Sequence, residues 1–179
     1  MTTPQSEIKR YLVEEKYLSL DKRFTITDEL GNILYKGNST FFAIGDKLLL
    51  TDEDGNEAIR IRQQNFHTRL TYKLFSIRDD GNKRQIALIK RIGPLRQQKL
   101  EIISDDGEYI LQKQGGLSSN EFNLTKDDNI VAIVIKDSSP TKSFYWVDII
   151  DNNENHAFIL AMVIVLACVQ RSPSSHIVF

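Results

Sequence analysis

The sequence predicts a mainly β protein: an antiparallel closed barrel of about twelve strands around one buried hydrophobic C-terminal helix. Three observations carry that expectation. Turn signals recur at near-fixed spacing, the runs between them have strand character, and the apolar stretch 157–169 lacks the polar stripe of a surface helix.

Asp28-Glu29-Leu30-Gly31-Asn32, Asp52-Glu53-Asp54-Gly55-Asn56, Asp79-Asp80-Gly81-Asn82 and Ser104-Asp105-Asp106-Gly107-Glu108 place their glycines 24, 26 and 26 residues apart. Degenerate versions follow at Lys126-Asp127-Asp128-Asn129 and Asp151-Asn152-Asn153. Asp-Gly and Gly-Asn pairs between β-rich runs mark hairpins, because these turns need positive φ. About five hairpins and the start of a sixth unit result. Phe24-Thr25-Ile26-Thr27 and Ile59-Arg60-Ile61-Arg62 alternate, as do Tyr145, Val147 and Ile149 against Trp146 and Asp148, the pattern of strands with one covered face. Ile86-Ala87-Leu88-Ile89 and Ile130-Val131-Ala132-Ile133-Val134-Ile135 are continuously apolar, which predicts cover on both faces. With a leading strand near Tyr11-Leu12-Val13, the count reaches about twelve.

The thirteen apolar residues of 157–169 are preceded by Asp151-Asn152-Asn153-Glu154, which resembles a capping box, and followed by Gln170-Arg171-Ser172-Pro173. A helix over 152–170 is expected. Thirteen residues at about 1.5 Å each cover about 20 Å, short of the ~20 residues a transmembrane span requires. A helix apolar all round must be surrounded by protein. Eight strands leave a lumen that only side chains fill, whereas about eleven enclose a helix ~10 Å wide.

At 179 residues, 41% hydrophobic and 26% charged, the chain reads as a single domain over 1–179, with 1–10 and 172–179 as tails. The single Cys168 excludes an internal disulfide and a multi-cysteine zinc site. The start lacks the charged, apolar, small-residue order of a secretory leader, so the expected location is cytoplasmic, peripheral at a membrane if it meets one.

Together these features resemble the LURP-one-related family, within the tubby C-terminal-like group that includes the phospholipid scramblases. The resemblance rests on Lys16-Tyr17-Leu18-Ser19-Leu20, Phe24-Thr25-Ile26-Thr27-Asp28 with Gly31-Asn32 and Tyr35, Phe42-Ala43-Ile44-Gly45-Asp46-Lys47-Leu48, Asp52-Glu53-Asp54-Gly55-Asn56-Glu57, Tyr145-Trp146-Val147-Asp148-Ile149 and the closing apolar helix. It implies a twelve-stranded barrel around a C-terminal helix, in a group whose better-understood members bind phosphoinositides or act at membranes. The chain departs from small bacterial relatives at Cys168 and Ser143, where they tend to carry aspartates, and in Asp137-Ser138-Ser139-Pro140-Thr141. The cysteine-rich segment and acidic calcium loop of the scramblases have no counterpart, so scramblase activity is not implied.

No catalytic residue, metal site or cofactor is expected. Counted from Asp52, the EF-hand glycine position holds Glu57 and the bidentate-glutamate position holds Gln63, so that segment reads as a hairpin turn. His67, His156 and His176 are scattered, and His156, near a helix start, suits a neutral capping or packing role. Cys168 lies in the most apolar segment, where a thiol is inert. No nucleophile elbow, phosphate-cradling loop or dinucleotide fingerprint is present.

The remaining candidate is charge. Residues 60–99 hold eleven Lys/Arg against Asp79 and Asp80, while the whole chain has net charge −1. Arg60, Arg62, Arg69, Lys73, Lys90 and Arg91 are the candidate headgroup-binding residues, since clustered Lys/Arg bind anionic lipid headgroups and inositol phosphates. The expected function is a non-enzymatic domain binding an anionic phospholipid such as a phosphoinositide. The alternative is a protein-interaction or structural module without a small ligand, the charge steering an acidic protein partner. Nucleic acid is not an expected partner, because the span lacks a recognisable binding motif and the chain as a whole is not basic.

Overall fold

A computed structural model of the protein describes residues 7–17, 23–40, 47–64, 69–77, 81–94, 97–116 and 118–171. Among the residues singled out above, 1–6 of the first tail, Leu18-Ser19-Leu20, the Phe42-Ala43-Ile44-Gly45-Asp46 stretch, His67, Asp79, Asp80, His176 and the tail 172–179 lie outside them.

Twelve strands precede one helix: β1 (Lys9–Lys16), β2 (Arg23–Asp28), β3 (Ile33–Thr40), β4 (Lys47–Asp52), β5 (Glu57–Gln64), β6 (Thr71–Ile77), β7 (Lys83–Ile92), β8 (Lys99–Ser104), β9 (Gly107–Lys113), β10 (Glu121–Lys126), β11 (Asn129–Ser138), β12 (Lys142–Ile149) and α1 (His156–Arg171). Each strand pairs antiparallel with its sequence neighbours, and β12 pairs with β1 to close the barrel. Closure removes both sheet edges. The first strand begins at Lys9, so the pairing Lys9↔Ile149 and Arg10↔Asp148 takes in the last residues of the segment expected as a tail.

The turns form as their residues dictate. At Asp28–Asn32 and Asp52–Asn56, the glycine N–H donates to the first aspartate's carbonyl at 3.1 Å, and Gly31 and Gly55 sit at φ +86° and +84°. The carboxylates of Asp28 and Asp52 fold back to accept the backbone N–H groups of Asn32 and Asn56, both at 2.8 Å. Each aspartate is thus engaged by its own turn. The degenerate turn after β10 has two positive-φ aspartates, Asp127 at 48° and Asp128 at 62°, as a two-residue hairpin of this hand requires.

α1 threads the barrel. Phe158 to Ala167 are buried without a break, together with Val169, against inward residues such as Phe24, Ile61, Leu74, Ile89, Tyr109 and Tyr145. Two expectations need correction. The helix begins at His156, not 152: the cap is Asn155, whose Oδ1 accepts the Phe158 N–H at 3.1 Å, while Asp151 closes a separate turn by accepting the Asn153 N–H at 3.0 Å. The expected capping box fails because Glu154 is drawn to the barrel wall. The continuously apolar strands are not covered on both faces, since Ile130 and Ile135 remain 43% and 45% exposed. The helix covers only the inner face, and the outward isoleucines reflect the strand preference of β-branched residues.

Candidate functional site

Charge is segregated along the barrel axis. At the mouth where α1 begins lie the tight turns, carrying Asp28, Asp52, Asp105, Asp106, Asp127 and Asp128. Around the opposite mouth, where α1 ends, stand Arg62, Arg69, Lys73, Lys90, Arg91, Lys113, Lys136 and Arg171. Antiparallel strands visit each mouth alternately, so an axial asymmetry is dispersed along the chain.

The candidate residues divide between the two faces of the wall. Arg60 and Arg62 alternate with buried Ile59 and Ile61 and therefore point outward. Arg62 is paired with Lys73 on β6, giving two cations in one row across adjacent strands. Like charges directly opposite are destabilising, so packing stability does not account for this row. Lys90 also faces outward, in register with Glu101 on β8. Arg69 is exposed just before β6. Among the described residues, Arg62, Arg69, Lys73 and Lys90 form no ion pair. Arg60 differs: its guanidinium clasps Glu57 through two bonds, Nε–Oε1 at 2.6 Å and Nη2–Oε2 at 2.7 Å, which neutralises it. Arg91 is set apart by the pleat. It alternates with buried Ala87 and Ile89, is paired with buried Leu100, and so projects into the barrel mouth rather than onto the wall beside Lys90.

That interior mouth holds a polar group of side chains that sequence reasoning missed. Gln170, in the last turn of α1, accepts from Lys136 Nζ at 2.9 Å and Tyr145 OH at 3.1 Å, and its Nε2 donates to Gln98 Oε1 at 2.8 Å. Arg171 donates to Glu15 at 2.8 Å, with Glu15 fully buried, and its guanidinium lies 4.5 Å from the ring centre of Tyr17. Ser143 is buried beside Tyr17 and Ser138. Burial lowers the Lys136 pKa; the charges of Lys113 and Arg171 lower it further, and Glu15 opposes. The signal available in the sequence was period two itself: each of Glu15, Arg91, Lys113 and Lys136 follows an inward apolar residue by two positions.

At the other mouth the interior polar groups are matched. Glu154 accepts from Tyr109 OH at 2.6 Å and from Lys126 Nζ at 2.9 Å. Burial, reinforced by Glu154, pushes the Tyr109 phenol up to about 12. His156 Nδ1 is 2.6 Å from Tyr11 OH, and burial holds the imidazole below its ordinary pKa, which fits the neutral packing role expected of it.

A family model described as LURP-one-related matches residues 9–167, nearly the whole barrel and helix. The chain belongs to the LURP-one-related family. Among solved structures, it is similar to an X-ray structure of a protein from Arabidopsis thaliana, with a TM-score of 0.58 and 22% identity, covering 90% of this chain and 93% of that one. At that identity the likeness establishes the shared fold alone. No curated protein matches the sequence. LURP-one-related membership points to a non-enzymatic binding domain, in a group that is generally non-catalytic. Among the described residues no helix is long and apolar enough to cross a membrane.

Proposed function

We propose that this LURP-one-related domain binds an anionic membrane lipid, with a phosphoinositide as the preferred headgroup, through the outer basic wall at the mouth where α1 ends. The observation that carries the reading is the in-register pair of Arg62 and Lys73 on adjacent strands, kept at an electrostatic cost and without a carboxylate partner among the described residues. Lys90 and Arg69 extend the basic surface toward the rim. The acidic turns at the far mouth orient the molecule, because a negative leaflet attracts one end and repels the other.

Each basic residue near an anionic leaflet contributes about 1 kcal/mol, so removing two should weaken retention about 30-fold. The Arg62→Gln/Lys73→Gln double variant is expected to lose retention on phosphoinositide-containing liposomes, with thermal stability nearly unchanged. Arg60→Gln should change retention little, since Glu57 already neutralises Arg60. Retention should fall as salt rises, given a Debye length of about 8 Å at physiological ionic strength. Equal retention on neutral liposomes, or an unaffected double variant, would favour the alternative of a protein-interaction module.

A further inference from the structure

We propose that the barrel interior at the mouth where α1 ends is a second, separate anion site, in which Arg91, Lys113 and Lys136 receive a phosphate-class group from the open end. None of Arg62, Lys73 or Lys90 takes part, so the site stands independently of the outer-wall reading.

Geometry supplies the first argument. β7, β9 and β11 each send one cation inward at this mouth: Arg91 after Ile89, Lys113 after Leu111 and Lys136 after Val134. Gln170 is the hub here, bonded to Lys136, to Tyr145 on β12 and to Gln98 just before β8. The interior carboxylate at this level among the described residues is Glu15, six strands around the barrel from Arg91, and Arg171 already engages it. The helix C-terminus adds roughly half a negative charge. Arg91, Lys113, Lys136 and Arg171 together exceed Glu15 and the helix end by more than two positive charges, so the interior is electropositive on balance.

Unmet valence supplies the second. Nη1 of Arg91 is buried and, among the described residues, has no hydrogen-bond partner. Buried polar groups are nearly always satisfied, and an ionised donor is the costliest to leave unpaired. Burial depresses Lys136, Glu15 opposes this and Lys113 and Arg171 add to it, and a bound anion would act in the same sense as Glu15. A planar guanidinium with a buried, unpaired nitrogen, at a mouth into which β9 and β11 also send ammonium groups, matches the multiply charged oxygens of a phosphate better than a single carboxylate.

Calorimetric titration of the full chain with inositol trisphosphate and with inorganic pyrophosphate tests the site. Saturable, salt-sensitive binding is expected for at least one of them. Arg91→Gln should lower its affinity about tenfold or more, as loss of a charge-assisted hydrogen bond does. Its melting temperature should be unchanged or raised, because a buried unpaired donor is removed. Lys113→Gln serves as the second variant if Arg91→Gln misfolds, and should weaken binding in the same direction. In the Arg62→Gln/Lys73→Gln background, Arg91→Gln should still lower the affinity for pyrophosphate about tenfold, which separates the interior site from the outer wall. Phosphatidylcholine vesicles with and without phosphatidylinositol bisphosphate identify the source. Competition by the phosphoinositide vesicles alone assigns the site to a lipid headgroup, and soluble binding without competition assigns it to a free phosphate compound. Absence of saturable binding by either soluble anion, or undiminished affinity in both interior variants, would overturn the proposal.

Discussion

The two mouths of this barrel are built from the same wall and the same helix, yet they treat interior charge in opposite ways. Where α1 begins, one carboxylate, Glu154, meets one ammonium and one phenol, and His156 meets Tyr11, so each of these groups has a partner. Where α1 ends, cations outnumber carboxylates among the described residues, and both Arg91 Nη1 and Glu15 Oε2 are buried without partners among them. The first mouth has the features of a stitched joint. The second carries charge that its own fold does not satisfy, which is the property expected of a binding surface.

The largest expected effect that sharpens this contrast is at the second mouth. Arg171→Met leaves Glu15, 0% exposed, as an unpaired buried charge and should cost about 3–5 kcal/mol in urea unfolding at neutral pH. Adding Glu15→Gln should restore much of the loss. A cost below ~1 kcal/mol would mean that water reaches this pair and the mouth is hydrated. At the first mouth Glu154→Gln removes the charge that holds Lys126 and should cost about 1–3 kcal/mol. Spectroscopic alkaline titration should then place Tyr109 below its present value of about 12, though still raised by burial.

The smallest effect concerns His156. Burial, assisted by the positive charge of Lys9, lowers its pKa below the ordinary 6.5. The unfolded chain therefore takes up the proton first, so this contribution to stability is present above about pH 6.5 and is lost as pH falls from there through the folded value. His156→Asn, which keeps an acceptor for Tyr11, should show a smaller fall in unfolding free energy between about pH 7.5 and 5.5. An identical fall in both proteins would assign the acid sensitivity to carboxylates alone.

Much of the architecture was legible because it rests on local chemistry. Asp-Gly and Gly-Asn turns state where strands reverse, and thirteen apolar residues state that a helix needs cover on every side. The helix start was misplaced because Asp151 and Glu154 have the right spacing for a capping box, while Glu154 has a stronger partner in Lys126, distant in sequence. The candidate site was half legible. The excess of Lys/Arg over 60–99 located the outer wall, but chain position cannot say that Arg60 is neutralised by Glu57 while Arg62 is in register with Lys73.

By itself the sequence determined the strand count, the turn positions, the single apolar helix and the existence of a charge imbalance, because each follows from residue type and short-range spacing. Tertiary structure alone decided which mouth each charge occupies, that adjacent Lys90 and Arg91 part company across the pleat, and that Lys113 and Lys136, 23 residues apart, both face Gln170's end of the helix. The physical reason is closure. Only when β12 pairs with β1 does the wall acquire an inside, and only then does a two-residue alternation become the difference between a charge in water and a charge held beside a buried helix.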